Sequence, residues 1–244
     1  MPPFKMMGER KMNVIYEDNH LLIMEKPVNV PIQADNSQDH DLLSMAKQYV
    51  KKKYNKPGNV YLGLVHRLDR PVGGIVVFAR TSKAASRLSD QLRRQAMERS
   101  YLAVIRSQHL IKKGTLTNYL YKDRRQNKVH IVDSNHVQAK KAVLHYDVLE
   151  TILHEEYGPL TLVKINLETG RSHQIRVQFA NIGASLWGDQ KYGTVQNKHG
   201  QQIALWAFEL GMFHPTKKEW IDFQLSPPET PIWSIFKNTI ESLK

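Results

Sequence analysis

The stretch Leu64–Ala79 reads LVHRLDRPVGGIVVFA and holds a polar turn between two apolar segments that predict buried strands. The turn carries the carboxylate of Asp69 and the guanidinium of Arg67. A loop fixed at both ends by buried strands can hold a reactive group rigidly, and Gly73-Gly74 allows a tight turn or a close approach to a ligand. A surface ion pair between Arg67 and Asp69 explains the same residues, and this stretch alone does not decide between the two interpretations.

Short strands and a few helices surround this stretch on both sides. Apolar segments bounded by turn residues predict strands, and apolar residues at helical spacing predict helices. The order of these elements predicts an α+β domain with mostly antiparallel strands, and no linker divides it. The predicted strands are Val14–Glu17, Leu21–Glu25, Val60–Val65, Gly74–Ala79, Tyr101–Ile105, Leu160–Leu167, Ile203–Met212 and Glu219–Leu225, with further strands in the basic region Gly114–Leu149. The predicted helices are Asp41–Tyr54, Lys83–Met97 capped by Ser82, Ser172–Ile182 capped by Ser172, and a last helix that begins at Pro231.

The charge of the chain limits its partners. In 244 residues, 35 lysines and arginines against 23 acidic residues give a net charge of +12. We expect a nucleic acid as partner; a solvated basic face or an anionic membrane surface are the alternatives.

No apolar run approaches the roughly 18–20 residues that span a bilayer. The chain has no cysteine, which excludes disulfides, iron–sulfur clusters and thiolate zinc sites, and we expect a cytoplasmic protein.

Several further polar residues have simpler interpretations than a ligand site. His66 and His173 belong to no His-x-x-x-His pair, so we expect them to bond backbone groups rather than a metal. Lys51–Lys53 ends a predicted helix, where cations favour the helix dipole. Arg124-Arg125 and Lys140-Lys141 flank predicted strands, and RNA contact and plain surface are equally good interpretations of them.

Three segments, in the right order, resemble the motifs of the RluA family of pseudouridine synthases. His66–Asp69 is similar to the family's His-Arg-Leu-Asp signature, Arg99–Ala103 to its second motif, and Thr169–Arg176 to its third, Thr-Gly-Arg-(Ser/Thr)-His-Gln-Ile-Arg. Further likenesses extend the resemblance over residues 13–228; they lie at Val14–Pro27, Gly188–Gly193 and Phe213–Pro215.

The resemblance implies a fold, an activity and a partner. The fold would be a mixed, largely antiparallel curved sheet flanked by helices, with a central active-site cleft. The activity would be the isomerisation of specific uridines to pseudouridine in structured RNA, rRNA or tRNA, without a cofactor and without a metal. Residues 13–244 would form the catalytic domain of a monomer, and residues 1–12 a leader. Members often carry an N-terminal S4 RNA-binding domain, which we do not expect here.

The resemblance also implies roles for five residues. Asp69 matches the nucleophile, since a carboxylate can form a covalent adduct and then leave. Arg171 matches the residue that supplies its counter-charge. Tyr101 matches the residue that lies against the flipped uracil, and its hydroxyl would assist the transfer of the C5 proton. Arg67 would fill the space that the base vacates or hold a phosphate, and Ile175 would pack on the other side of the base.

The chain departs from the family pattern at two places. Pro71–Gly74 stands where many members have Asp-Thr-Ser-Gly, which could alter the shape of the loop and the choice of substrate, and Trp206 stands where many have His. A non-catalytic RNA-binding relative would share the fold and the charge, but the presence of Asp69 with Arg171 argues against it. A hydrolase acting through His66 and Asp69 lacks a second carboxylate or a metal-binding set nearby.

Overall fold

The computed structural model describes residues 12–35, 37–193, 195 and 197–243. The strands are β1 (Val14–Glu17), β2 (Leu21–Lys26), β3 (Gly63–Leu64), β4 (Gly73–Ala79), β5 (Glu98–Ile105), β6 (Lys113–Asp123), β7 (Lys128–Val132), β8 (Lys140–His154), β9 (Gly158–Leu167), β10 (Leu205–Phe213) and β11 (Trp220–Gln224). The helices are α1 (Leu42–Lys53), α2 (Ser82–Arg93), α3 (Gln174–Asn181), α4 (Pro231–Ser234) and α5 (Lys237–Glu241). The predicted leader lies outside the described residues except for its last residue, and the domain bounds stay a prediction.

The described strands form one mixed sheet in the order β1-β2-β4-β10-β5-β9-β8-β6-β7, with β3 beside β4 and β11 beside β10. All of these pairings are antiparallel except the short contact of β4 with β10. There Gly74 takes a φ of +119°, and a Cβ on it would lie 2.2 Å from the carbonyl oxygen of Ala207. Glycine at this position therefore lets the strand that follows Asp69 join the centre of the sheet. The predicted α+β class and largely antiparallel sheet are confirmed.

The two faces of the sheet carry different helices. Along β5, Tyr101, Ala103 and Ile105 point into a core that also contains buried residues of α1 and α3. The alternate residues Leu102 and Val104 point to the opposite face, where they join a core with α4 and α5. In the described part of the chain, no helix is both long and apolar enough to cross a membrane.

The start and end of α2 differ from the prediction. Thr81, not Ser82, is the N-cap, and its side chain accepts a hydrogen bond from the backbone N–H of Ala84 at 3.1 Å. The helix ends at Arg93 rather than Met97, because Gln95 adopts a left-handed φ of 57° and turns the chain toward β5.

The predicted strand Val60–Val65 is wrong for most of its length. Only Gly63 and Leu64 pair with the sheet, opposite Ala79 and Phe78 of β4. The other predicted strands outside the basic region overlap the observed ones to within a few residues. Gly114–Leu149 contains β6 except its first residue, all of β7 and most of β8.

Candidate active site

A cavity of about 1090 Å³ opens beside the core that contains α1 and α3. It brings together all five residues that the sequence predicted for the site, although they come from three separate segments. These five residues, which all line the cavity, are Arg67, Asp69, Tyr101, Arg171 and Ile175. Their proximity follows from the sheet, because the loop before β4, the strand β5 and the start of α3 meet at this point.

The turn that carries Asp69 is fixed from inside the protein. The backbone N–H of Val72 donates to the carbonyl oxygen of Asp69 at 3.0 Å. The ammonium group of Lys26 is fully buried and donates to the carbonyl oxygens of Pro27, Arg70 and Val72 at 3.0, 2.9 and 2.7 Å. Because Lys26 belongs to β2, the turn is tied to the sheet next to it. The backbone of Asp69 is therefore fixed, and its side chain is 25% exposed in the cavity.

The counter-charge of Asp69 comes from Arg176, and the predicted pairing with Arg171 is wrong. Arg176 Nη1 lies 3.2 Å from Asp69 Oδ2. Arg171 is exposed, and its Nε donates to the carbonyl oxygen of Lys141 at 3.0 Å, so its guanidinium is directed toward β8. Arg171 lines the cavity, but it does not pair with the carboxylate.

The start of α3 explains this difference. The N-cap is His173, with a left-handed φ of 50°, instead of the predicted Ser172. The Gln174 side chain accepts a hydrogen bond from the backbone N–H of Arg171 at 3.0 Å and donates to the carbonyl oxygen of Val143 at 3.0 Å, which ties the turn before the helix to β8. The helix then places Arg176 on the inner wall of the cavity. A signal was present in the sequence, because Arg176 belongs to the same motif as Arg171, Thr169–Arg176, and is a second candidate for the pairing.

Asp189 is a further residue of the site that the sequence analysis did not identify. It follows β9 and α3 in the chain and accepts hydrogen bonds from Arg176 Nε and Nη2, both at 2.8 Å. Burial alone would raise the pKa of Asp189, but the contacts with Arg176 outweigh it and lower that pKa. Burial alone would lower the pKa of Arg176, and the two carboxylates raise it. Both groups are therefore charged at neutral pH.

Tyr101 and Ile175 provide apolar walls beside Asp69. Tyr101 on β5 and Ile175 on α3 are 6% and 5% exposed, and both line the cavity. Burial raises the pKa of the Tyr101 phenol, so its hydroxyl is protonated at neutral pH. Arg67 is exposed at the cavity. This arrangement can hold a flat apolar ring next to a carboxylate, with a cation at the entrance.

The two histidines near Asp69 behave differently from each other. His66 Nε2 accepts a hydrogen bond from the backbone N–H of Val77 at 3.3 Å, as predicted, and burial lowers its pKa to about 3. His173 instead contacts the hydroxyl of Tyr192 through Nδ1 at 2.7 Å. Among the described residues, no group of three acidic or histidine side chains is placed to hold a metal ion.

Residues 20–181 match the RNA pseudouridylate synthase family. The chain belongs to this family. An uncharacterized RNA pseudouridine synthase of Aquifex aeolicus is 32% identical, over 89% of this chain and 70% of that protein. The ribosomal large subunit pseudouridine synthase D of Zymomonas mobilis is 29% identical over the same shares. That of Pseudomonas aeruginosa is 35% identical over 75% of this chain and 54% of that protein.

Solved structures show the same fold. Human RNA pseudouridylate synthase domain containing 4 superposes with a TM-score of 0.73 at 18% identity, covering 94% of this chain and 93% of that one. Human RNA pseudouridylate synthase domain containing 1 gives 0.71 at 22% identity, covering 96% and 89%. The predicted fold and enzyme class are confirmed: the protein is an RNA pseudouridine synthase, an isomerase that acts on RNA. The non-catalytic alternative is not supported.

Proposed function

We propose that this enzyme isomerises a uridine of ribosomal RNA, with Asp69 as nucleophile and Arg176 as its ion-pair partner. The observation that carries the proposal is the Asp69 carboxylate in the cavity, 3.2 Å from Arg176 and flanked by Tyr101 and Ile175. Ribosomal RNA is favoured over tRNA because several relatives are named ribosomal large subunit pseudouridine synthases, from Zymomonas mobilis, Pseudomonas aeruginosa and Haemophilus influenzae.

The chemistry of the reaction agrees with this set of side chains. The N1–C1′ bond breaks, the base turns, and a C5–C1′ bond forms. C5 loses one proton and N1 gains one proton. The atoms balance without an oxidant, a reductant or a group donor. A carboxylate such as Asp69 can form an adduct and leave again, and a charged donor such as Arg176 stabilises it each time it is released.

The walls of the cavity suit an unstacked base. Removing a base from its stack costs a few kcal/mol, and stacking on an aromatic ring returns roughly 1–3 kcal/mol. Tyr101 offers such a ring, and Ile175 closes the pocket from α3. Arg67 at the entrance is placed to hold a phosphate or to occupy the space that the base leaves.

The tests are Asp69→Asn and a comparison of RNA classes. We expect the purified wild type to form pseudouridine in unmodified ribosomal RNA transcripts and not in tRNA transcripts. Asp69→Asn should bind the same RNA and form none, because the amide has the same shape but is no nucleophile. Asp222→Asn, on the distant edge strand β11, is the matched control with wild-type activity. Turnover by Asp69→Asn would reject the nucleophile, and modification of tRNA alone would reject the substrate class.

Mapping of pseudouridine in total RNA, from cells with and without the gene, would then identify the uridine. A cytoplasmic location and a monomeric state remain part of the proposal. Cell fractionation and light scattering of the purified enzyme test these two points.

A further inference from the structure

His173 begins α3 next to Asp69 in an uncommon backbone conformation. Its φ of 50° is left-handed, which costs a residue other than glycine free energy and indicates that its surroundings hold it there. The ring is 8% exposed. Its Nδ1 lies 2.7 Å from the hydroxyl of Tyr192, and its Nε2 lies 3.9 Å from Asp69 Oδ2. The two nitrogens therefore face a structural partner on one side and the nucleophile on the other.

The hydrogen bonds of Tyr192 favour one position for the proton on this ring. The Tyr192 hydroxyl accepts from the backbone N–H of Val129 on β7 at 2.8 Å, and among the described residues His173 Nδ1 is the one acceptor that its own proton can reach. Burial lowers the pKa of His173 to about 4, although the charge of Asp69 raises it. The imidazole is therefore neutral at pH 7, and a donating Tyr192 hydroxyl assigns its single proton to Nε2, the nitrogen that faces Asp69.

The charges around the ring agree with a neutral donor. Arg176, Lys191 and Lys122 all face His173 and lower its pKa, and Asp69 is the acidic group that opposes them. Arg176 and His173 both approach Asp69 Oδ2, while in the described part of the chain no donor lies within hydrogen-bond distance of Oδ1. The two side chains thus address one carboxylate oxygen and leave the other open.

We propose that His173 is a positioning residue that donates from Nε2 to Asp69 Oδ2 during the reaction and so presents Oδ1 as the attacking atom. The proposal rests on Asp69 being the nucleophile. The present 3.9 Å is longer than a hydrogen bond. Closing it takes a movement of about 1 Å, and catalytic contacts commonly shorten in the substrate complex. Tyr192 and the Val129 backbone hold the ring, so β7 shares in aligning the nucleophile.

Two substitutions separate this role from a purely structural one. In His173→Gln the side-chain amide reaches the position of Nε2 and can donate to Asp69, but the contact with Tyr192 is lost. In His173→Asn the side-chain oxygen takes the position of Nδ1 and keeps that contact, but no donor reaches Asp69. Asparagine also tolerates a left-handed backbone better than glutamine, so an effect on folding alone would make His173→Asn the more stable variant.

We expect His173→Gln to retain a single-turnover rate about tenfold higher than His173→Asn at saturating RNA, the scale of one hydrogen bond to a charged group. RNA affinity should be equal for the two, and His173→Asn should be the more heat-stable. An active His173→Asn beside an inactive His173→Gln would show that the ring only supports Tyr192. Equal rates for the two variants would also overturn the proposal.

A second measurement reads the tautomer directly and does not depend on activity. Nitrogen-15 NMR of the histidine rings at pH 7 should show His173 protonated at Nε2, and Tyr192→Phe should give a mixture of both tautomers with a lower single-turnover rate. A wild-type ring protonated at Nδ1 would reject the proposal. If Asp69→Asn is fully active, the nucleophile itself is wrong; if it is inactive and His173 is protonated at Nδ1, only the positioning role fails.

Discussion

Arg176 holds both carboxylate oxygens of Asp189, at 2.8 Å each, through its Nε and Nη2. Because the guanidinium is planar, this two-point contact fixes the direction of the remaining nitrogen, Nη1, which lies 3.2 Å from Asp69. The Arg176 and Asp189 side chains are 6% and 1% exposed, so solvent screens the pair very little. Asp189 therefore directs the cation that pairs with the Asp69 carboxylate.

Asp189→Asn should damage both stability and catalysis. An uncompensated buried charge costs about 3–5 kcal/mol of the free energy of unfolding. Arg176 keeps Asp69 as a charged partner in this variant, so we expect a smaller loss of stability. Arg176 would also lose its fixed orientation, and we expect the single-turnover rate to fall roughly 10- to 100-fold. Chemical denaturation and single-turnover assays measure the two effects. Asp90→Asn, which breaks an exposed pair with Arg93 and Arg94 on α2, is the control and should change neither. A wild-type rate in Asp189→Asn would mean that the peptide backbone alone orients Arg176.

Arg176→Met and Arg171→Met should separate the ion pair from RNA contact. Methionine keeps much of the side-chain length but removes the charge. Arg176→Met should lose almost all single-turnover activity at saturating enzyme, because Asp69 loses its partner, while RNA affinity changes little. Arg171→Met should weaken RNA binding and keep the rate at saturation, because Arg171 is exposed and directed toward β8. The reverse pattern would show that Arg171, as predicted from the sequence, is the ion-pair partner of Asp69.

The sequence analysis selected Asp69, Tyr101 and Ile175, which the structure brings together in one cavity, because these residues lie in short, contiguous motifs. Asp69 lies between two apolar segments, and such local signals survive in the fold. The partner of Asp69 was predicted wrongly because Arg171 and Arg176 belong to one motif, and the choice between them depends on where α3 begins. The left-handed His173 moves the N-cap by one residue from the predicted Ser172, and nothing in the local sequence indicates this conformation.

The pairing of Asp189 with Arg176 could not be predicted from the sequence for a different reason. It lies 13 residues beyond Arg176, in a turn whose shape depends on Gly188. That glycine has a φ of +72°, and a Cβ on it would lie 2.2 Å from the carbonyl oxygen of Gln202. The pairing is a product of tertiary structure, and charge patterns along the chain report only on neighbours in sequence.

Tyr101→Leu should be more harmful than Tyr101→Phe. Leucine keeps an apolar side chain in the core but removes the flat ring, whereas phenylalanine removes only the hydroxyl. If the ring stacks on uracil, Tyr101→Leu loses one stacking contact worth roughly 1–3 kcal/mol. Its single-turnover rate should fall by the corresponding factor. Tyr101→Phe should stay much closer to wild type. Thermal unfolding of both variants checks that the core is intact, and equal losses would assign the role to the hydroxyl instead.

Asp18 should stabilise the fold in a pH-dependent manner. Burial alone would raise its pKa, but hydrogen bonds from the backbone N–H groups of His20 and Leu21 and from His214 Nε2 lower it to about 2, from a usual value of 3.8. Its contribution is therefore fully present above pH 3.8 and is lost as the pH falls through about 2. The difference in unfolding free energy between wild type and Asp18→Asn should be constant at higher pH and shrink below 3.8. A difference that persists at pH 2 would contradict this origin.

RNA affinity should fall steeply as salt is added, because the cavity is lined by cations. Among the described residues, Arg67, Arg99, Arg171 and Lys122 all line it and none is ion-paired. Each neutralised phosphate of a single strand contributes about −0.7 to the slope of log K against log salt. Lys122→Gln should therefore reduce the slope by about 0.7.

The matched control for this slope is Lys237→Gln. Lys237 belongs to α5, which packs on the opposite face of the sheet from the cavity, and it pairs with Glu229. Its removal lowers the net charge by the same amount as Lys122→Gln, so a general charge effect would change both slopes equally. A local phosphate contact changes only the slope of Lys122→Gln. Equal slopes for the two variants would show that Lys122 does not contact the bound RNA and that the RNA leaves the cavity on another side.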